Sequence, residues 1–149
     1  MKLTYIFIIL FVYNSISAQL KTITDKTTYP FWINVPEKES TEKQPILIFL
    51  HGKSLSGTDL NRVRRYGVLR AMDKGRKIPA IVVAPQLAKG SWNPDKVLEV
   101  LEYVQKNYNT DSTRIYVCGM SLGGYGTLHL QENTLIKLRQ RSQFVAAEM

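Results

Sequence analysis

The chain has 149 residues, 44% hydrophobic and 21% charged, which suits one ordinary domain and argues against a disordered acidic tail or a fibrous repeat. Lys and Arg (20) outnumber Asp and Glu (12), for a formal charge of +8. A single cysteine excludes an internal disulfide framework and any cysteine-clustered zinc or iron–sulfur site.

Lys2 gives a short positive start, and an apolar run extends from Leu3 to Val12, broken only by Thr4 and Tyr5. Tyr13-Asn14-Ser15-Ile16-Ser17-Ala18 then ends in small residues before Gln19. Positive end, short apolar segment and small-residue site, in that order, are the pattern of a secretory signal peptide over residues 1–18. A membrane anchor needs roughly 20 apolar residues to cross the hydrocarbon core, and this run is shorter. Cleavage near Ala18 is expected to leave a mature protein, secreted or periplasmic, that starts near Gln19 and keeps no stable membrane anchor.

After a polar stretch, Tyr29-Pro30-Phe31-Trp32-Ile33-Asn34-Val35-Pro36 reads as a short strand between prolines, and the charged segment from Glu37 to Gln44 as a surface loop. Pro45 to Leu50 is a continuous apolar run of strand length, as found in strands buried on both faces. The loop Gly52 to Gly57 leads into a helix expected from about Asp59 to Lys74, with Asp59 as its N-cap. Ile78 to Pro85 repeats the buried-strand pattern. Pro94 to Tyr108 reads as a helix with Val97, Leu98, Leu101, Val104 and Tyr108 along one stripe. Asp111 to Thr113 makes a turn, and Arg114 to Cys118 a third strand. Strands alternating with helices predict βαβ units and a mostly parallel sheet flanked by helices, so the fold class is α/β.

Gly119-Met120-Ser121-Leu122-Gly123-Gly124 comes directly after the third strand and matches G-x-S-x-G. A bare match is common by chance; one that sits between a buried strand and a helix is specific. A nucleophilic serine must stand on a sharp strand-to-helix turn so that its hydroxyl projects above the sheet. Backbones crowd there, and only glycines such as Gly119 and Gly123 avoid a clash. The helix start also aims free N–H groups and a positive dipole end at the site, which favours a developing oxyanion. Leu50-His51-Gly52, directly after the first buried strand, marks the loop that supplies a second amide. Leu122 N–H is expected as one oxyanion donor and the backbone at Gly52 or Lys53 as the other. His51 precedes the serine in the chain and is expected to orient this loop rather than act as base.

Phe49-Leu50-His51-Gly52, Val83-Ala84-Pro85-Gln86, Trp92 and the run from Arg114 through Ser121 to Gly126 resemble the secreted esterase branch of the α/β-hydrolase family. That branch includes phospholipase/carboxylesterase-like, feruloyl-esterase-like and polyhydroxybutyrate-depolymerase-like enzymes, and the likeness covers about Tyr29 to His129. The resemblance implies a Ser-His-Asp triad that attacks a carboxylic ester through an acyl-enzyme, with Ser121 as nucleophile and Leu122 as an oxyanion donor. It implies no cofactor and no metal, and a small-molecule, polysaccharide or lipid ester as substrate. A prolyl-oligopeptidase-type peptidase shares the elbow, and a non-catalytic α/β binding module could keep it as scaffold.

Trp92, in the loop after the second buried strand, and Gln86 are candidates to line a substrate pocket or orient a loop. Cys118 reads as an inert buried thiol. Arg62, Arg64, Arg65, Arg70, Lys74, Arg76 and Lys77 read as a solvated basic face, with attraction to anionic substrates as the alternative. No recognition motif accompanies the charge, so nucleic acid is not an expected partner.

The family's triad runs Ser, then Asp or Glu, then His. After Ser121 the chain offers only His129, within the helix that starts at the elbow, with Glu132 and Glu148. The likeness is therefore to the N-terminal half of the family's domain, and the chain as given is expected to be inactive. Residues 130–149 resemble no part of the family. Leu135, Ile136 and Leu138 among Lys137, Arg139 and Arg141 suggest an amphipathic basic helix. Joining the last base of each codon to the first two of the next, with suitable third bases, converts the tail to Ala-Gly-Lys-Tyr-Pro-Asp-Lys-Ile-Ala-Ala-Ala-Val-Ala-Val-Cys-Gly-Gly-Gly-Asn. That string resembles the family's segment beyond the elbow. An ending here is also expected to leave Arg114 to Cys118 with a bare, aggregation-prone edge. The expectation is a shifted reading frame, and coding DNA whose codons forbid the alternative string would refute it.

Overall fold

A computed structural model describes residues 20–36, 42–137 and 143–148. The expected signal peptide and most of the 37–44 loop lie outside them. Six strands form one sheet: β1 (Leu20–Ile23), β2 (Phe31–Asn34), β3 (Gln44–Leu50), β4 (Ile81–Pro85), β5 (Thr110–Gly119) and β6 (Gln143–Glu148). Their spatial order is β1-β2-β4-β3-β5-β6. β4, β3, β5 and β6 run parallel, and β1 and β2 add an antiparallel edge. Helices α1 (Gly67–Asp73), α2 (Pro94–Asn107) and α3 (Leu122–Lys137) make the connections. The expected α/β class is what forms. No helix among the described residues is long and apolar enough to cross a membrane.

The apolar runs are continuous because both sheet faces are covered. Alternate side chains of a strand point to opposite faces. Ile46, Ile48 and Leu50 join Ile81, Val83, Ile115 and Val117 against Val97, Val100, Leu101 and Val104 of α2 and Leu130 of α3. Phe49, Val82, Ala84 and Cys118 point the other way, onto Val63, Val68 and Leu69. Each such side chain removed from water is worth about 1.5–3 kcal/mol, so the central strands anchor the fold. α2 matches its expected bounds. Asn93 caps it by accepting from Asp95 N (2.9 Å) and Lys96 N (3.2 Å), and Pro94 opens it.

The chain passes from β3 through α1 to β4 on one side, then through α2 back across β3 to β5 on the other. The direction of winding thus reverses about β3. The carboxyl ends of β3 and β5 flank the crevice where open α/β sheets bind ligands.

Three expectations are corrected. The polar stretch after Gln19 holds a strand, β1, which pairs with β2. The single helix over Asp59 to Lys74 is two pieces. Asp59 caps as expected, accepting from Asn61 N (2.9 Å), but residues Leu60–Arg65 form a 3-10 stretch, and Tyr66 is fully extended (φ −154°, ψ −179°) before α1. Gly67 then takes φ +75°, and a Cβ there would land on the ring of Phe49. The chain breaks at the point where glycine lets the backbone lie against that ring.

The third correction concerns the far edge of the sheet. β5 is not bare: Arg114 to Gly119 pair in register with Gln143 to Glu148 of β6. Phe144-Val145-Ala146-Ala147 is apolar enough for a strand beside a buried neighbour. Aggregation through an open β5 edge therefore loses its premise. Of the basic tail helix, the part through Lys137 belongs to α3, and residues 138–142 lie outside the described residues.

The turn at Asp111 to Thr113 is absorbed into the start of β5. Asp111 accepts from Thr113 Oγ1 (2.6 Å), Thr113 N (2.9 Å) and Arg114 Nε (2.6 Å), which hold its carboxyl down at about 2.

Gly67→Ala is expected to destabilise the fold by about 3 kcal/mol, combining a strained left-handed residue with overpacking against Phe49. The check is a lower urea midpoint at unchanged slope.

Candidate active site

β5 ends at Gly119 and α3 starts at Leu122, so the chain turns from strand to helix over Met120 and Ser121. Ser121 has φ +52°, the one non-glycine positive φ among the described residues. Such a residue costs about 1–3 kcal/mol and persists only where its surroundings over-determine it. Here they do. Met120 N donates to Leu50 O (3.2 Å), Gly123 N to Met120 O (2.9 Å) and Tyr125 N to Ser121 O (3.2 Å). A Cβ on Gly119 would fall on the Gly123 carbonyl and 2.7 Å from Gly124 N. One on Gly123 would fall on the Leu50 carbonyl and 2.9 Å from His51 O. Ser121 itself is exposed.

The loop after β3 lies against this turn. A Cβ on Gly52 would sit 3.0 Å from Met120 O and 3.6 Å from Ser121 Cβ. Lys53 opens the 3-10 turn Lys53–Leu55, as Leu122 opens α3. N–H groups at such starts have no acceptor within their own helix.

His51 is fully buried. Its Nε2 accepts from Leu87 N (3.1 Å), which places the ring proton on Nδ1, where it donates to Gly52 O (2.8 Å). Burial lowers its pKa; the Gly52 carbonyl opposes that, and the charge of Arg62 adds to it. The ring is neutral at pH 7 and both nitrogens are engaged.

Trp92, 4% exposed, donates from Nε1 to His51 O (3.1 Å) and stands edge-on to His51 (5.0 Å) and Tyr29 (5.3 Å). Its other neighbour is Gly126 of α3, where a Cβ would come within 2.7 Å. The indole thus joins the loop to the helix that carries the serine turn. Gln86, also buried, donates from Nε2 to Leu55 O (2.9 Å) and Gly57 O (2.7 Å), pinning the same loop to the end of β4. Gln86 further borders a cleft of about 600 Å³ shared with Tyr29, Thr58, Lys89 and Lys96.

The basic cluster is partly structural. Arg62 Nη2 donates to Ser54 O (3.0 Å), and Arg64 pairs with Asp73 (2.6 Å) and covers the Trp32 ring (5.2 Å). Arg65, Arg70, Lys74, Arg76 and Lys77 are exposed. Cys118 is buried, and burial pushes its thiol up to about 11.

One residue near the turn has no sequence signal. Tyr66 Oη lies 2.8 Å from Ser54 Oγ and 3.1 Å from the point a Gly52 Cβ would occupy. In a continuous helix it would be an ordinary surface position. His129, by contrast, is exposed on α3 about 12 Å along the axis from the serine turn, by the rise of 1.5 Å per residue. The chain holds two histidines, and neither presents a ring nitrogen to Ser121.

His51 makes stability depend on pH. Its folded pKa lies below the ordinary 6.5, so below pH 6.5 the unfolded chain binds a proton that the folded chain refuses. This contribution is complete above that pH and is lost as pH falls, levelling off below the folded pKa. Urea midpoints at pH 7 and pH 5 are expected to differ less in His51→Gln than in the wild type.

No protein-family model matches the chain, and no curated protein sequence does. Solved structures do match. A thermostable esterase superposes at TM-score 0.55 with 20% identity, covering 87% of this chain and 55% of its own. Esterase B from Lactobacillus rhamnosis gives 0.57 and 15%, covering 88% and 48%. An acylaminoacyl peptidase from Pyrococcus horikoshii gives 0.50 and 18%, covering 77% and 21%. The chain therefore has the α/β-hydrolase fold and spans about half the length of the esterases it matches, less of the peptidase.

Proposed function

We propose that this chain is a serine hydrolase, exported from the cytoplasm, that cleaves small carboxylic esters through an acyl-enzyme on Ser121. The carrying observation is the left-handed backbone of Ser121 at the strand–helix turn, beside Gly52 and open to solvent. Backbone contacts hold that strain in place, and a hydroxyl lifted clear of the sheet is the use it serves in this reading.

In this reading Ser121 Oγ bonds to the acyl carbon, and the carbonyl pair moves onto oxygen. The amides of Leu122 and of the Gly52–Lys53 segment receive that charge, aided by the α3 dipole. Collapse expels the alcohol, and water then frees the acyl group. His51, Trp92 and Gln86 act as supports of the donor loop. Neither histidine takes the serine proton, so with this chain alone a base in solution must accept it, and attack is slow. The signal-like pattern of residues 1–18 supports export. The two esterase matches favour esters, and the lower-scoring peptidase keeps amides as the second class to test.

With imidazole added as the missing base, a fluorophosphonate probe is expected to label Ser121 of the wild type, as located by peptide mass, and to leave Ser121→Ala unlabelled. Added imidazole should accelerate p-nitrophenyl butyrate cleavage by the wild type more than by Ser121→Ala. A wild type that stays unlabelled with imidazole present refutes the reading.

A further inference from the structure

We propose that Tyr66 is a catalytic residue of this site, its phenolic hydroxyl donating a hydrogen bond to the acyl oxygen as charge develops there. This rests on the serine-hydrolase reading above and adds a side-chain donor to the two backbone amides.

The chain departs from regular structure to place this ring. Between the 3-10 stretch and α1, Tyr66 is extended, and the glycine after it carries a positive φ packed on Phe49. The break delivers Oη to the end of β3. There Met120 O, Oη and Ser121 Cβ lie 3.0, 3.1 and 3.6 Å from one point, the place a Gly52 side chain would fill, and Met120 O is itself engaged by Gly123 N. Glycine at 52 keeps that space clear, and the Lys53 amide is adjacent in the chain.

Ser54 holds the hydroxyl. Its Oγ is 2.8 Å from Tyr66 Oη, and its carbonyl is fixed by Arg62 Nη2 (3.0 Å). When Ser54 Oγ–H donates to Oη, the phenolic hydrogen remains free, and accepting that bond makes the phenol a better donor. The step is hydrogen bonding only. The Oγ–C bond forms, the carbonyl pair moves to oxygen, and the Tyr66 proton stays on Tyr66.

Tyr66→Phe keeps the ring and removes only Oη, so it separates donation from packing. The probes, used with imidazole as the base, are diethyl p-nitrophenyl phosphate and its P=S analogue, both of which release p-nitrophenol when Ser121 is phosphorylated. The P=O oxygen occupies the oxyanion position; sulfur there accepts hydrogen bonds poorly. Loss of one oxyanion donor typically costs about 100–1,000-fold, and one of three donors should cost about tenfold or more. Tyr66→Phe is therefore expected to slow the P=O reaction by that factor, to leave the P=S reaction nearly unchanged, and to melt close to the wild type. Ser54→Ala should give a smaller shift in the same P=O to P=S ratio. Equal rates in Tyr66→Phe and wild type, or equal slowing of both probes, overturns the proposal while Ser121-dependent release stands. Release that Ser121→Ala does not lower overturns the serine reading and this proposal with it.

Discussion

The arrangement depends on how closely two backbones approach where β3 and β5 end. Leu50 is paired with Gly119 in the parallel register, and the Leu50 carbonyl both accepts from Met120 N and abuts Gly123. No side chain fits at either glycine, and with both absent the chain can reverse within two residues. Ser121 takes up the remaining curvature as a left-handed φ. Because β3 is the partner in this contact, the loop that leaves β3 must run beside the serine. The meeting of Gly52 and Ser121 results from strand register rather than from chance proximity.

That loop has little regular structure, so buried polar side chains fix its path. His51 spans from Leu87 N to Gly52 O, Gln86 reaches two loop carbonyls, and Trp92 holds the His51 carbonyl while packing on α3. Each bond adds only about 0.5–1.5 kcal/mol net, but a buried donor or acceptor left unpaired costs about 1–3 kcal/mol. The loop therefore gains mainly a single conformation. A neutral His51 fits that role: charging it would place a proton on Nε2, where Leu87 N–H already donates.

How much the residues disclose in advance divides by range. β3, β4 and α2 are readable because their signals are local: unbroken apolar runs, a cap and a helical stripe. The serine turn is readable because its two glycines flank it directly. The break at Tyr66 and Gly67 is not, since the Phe49 ring packed against it lies 18 residues earlier and meets Gly67 only in the folded chain. β1 carries no apolar alternation, and its strand character comes from pairing with β2. In the tail, apolar residues at helical spacing through Leu138 mask the strand-forming run beyond them. Trp92 could be placed near the site but not assigned to the His51 carbonyl, because its contacts come from the loop after β3 and from α3 at once.

The proposed serine chemistry has two separable requirements, and in that reading these residues meet them unequally. Charge stabilisation needs donors held rigid before the oxygen becomes negative, so that nothing reorganises during attack. Strand ends, helix starts and a strained turn supply that rigidity, and here all three converge on Ser121. Proton removal needs a ring nitrogen free to accept from the hydroxyl. His51 cannot serve, because the bonds that make it a good support consume both nitrogens. His129 cannot serve, because the helix that places the serine also carries it away. In the proposed reading, the same geometry that sets the two amides beside Ser121 leaves neither histidine free to take its proton. Stabilisation of a tetrahedral anion and activation of the nucleophile are therefore expected to respond to different substitutions.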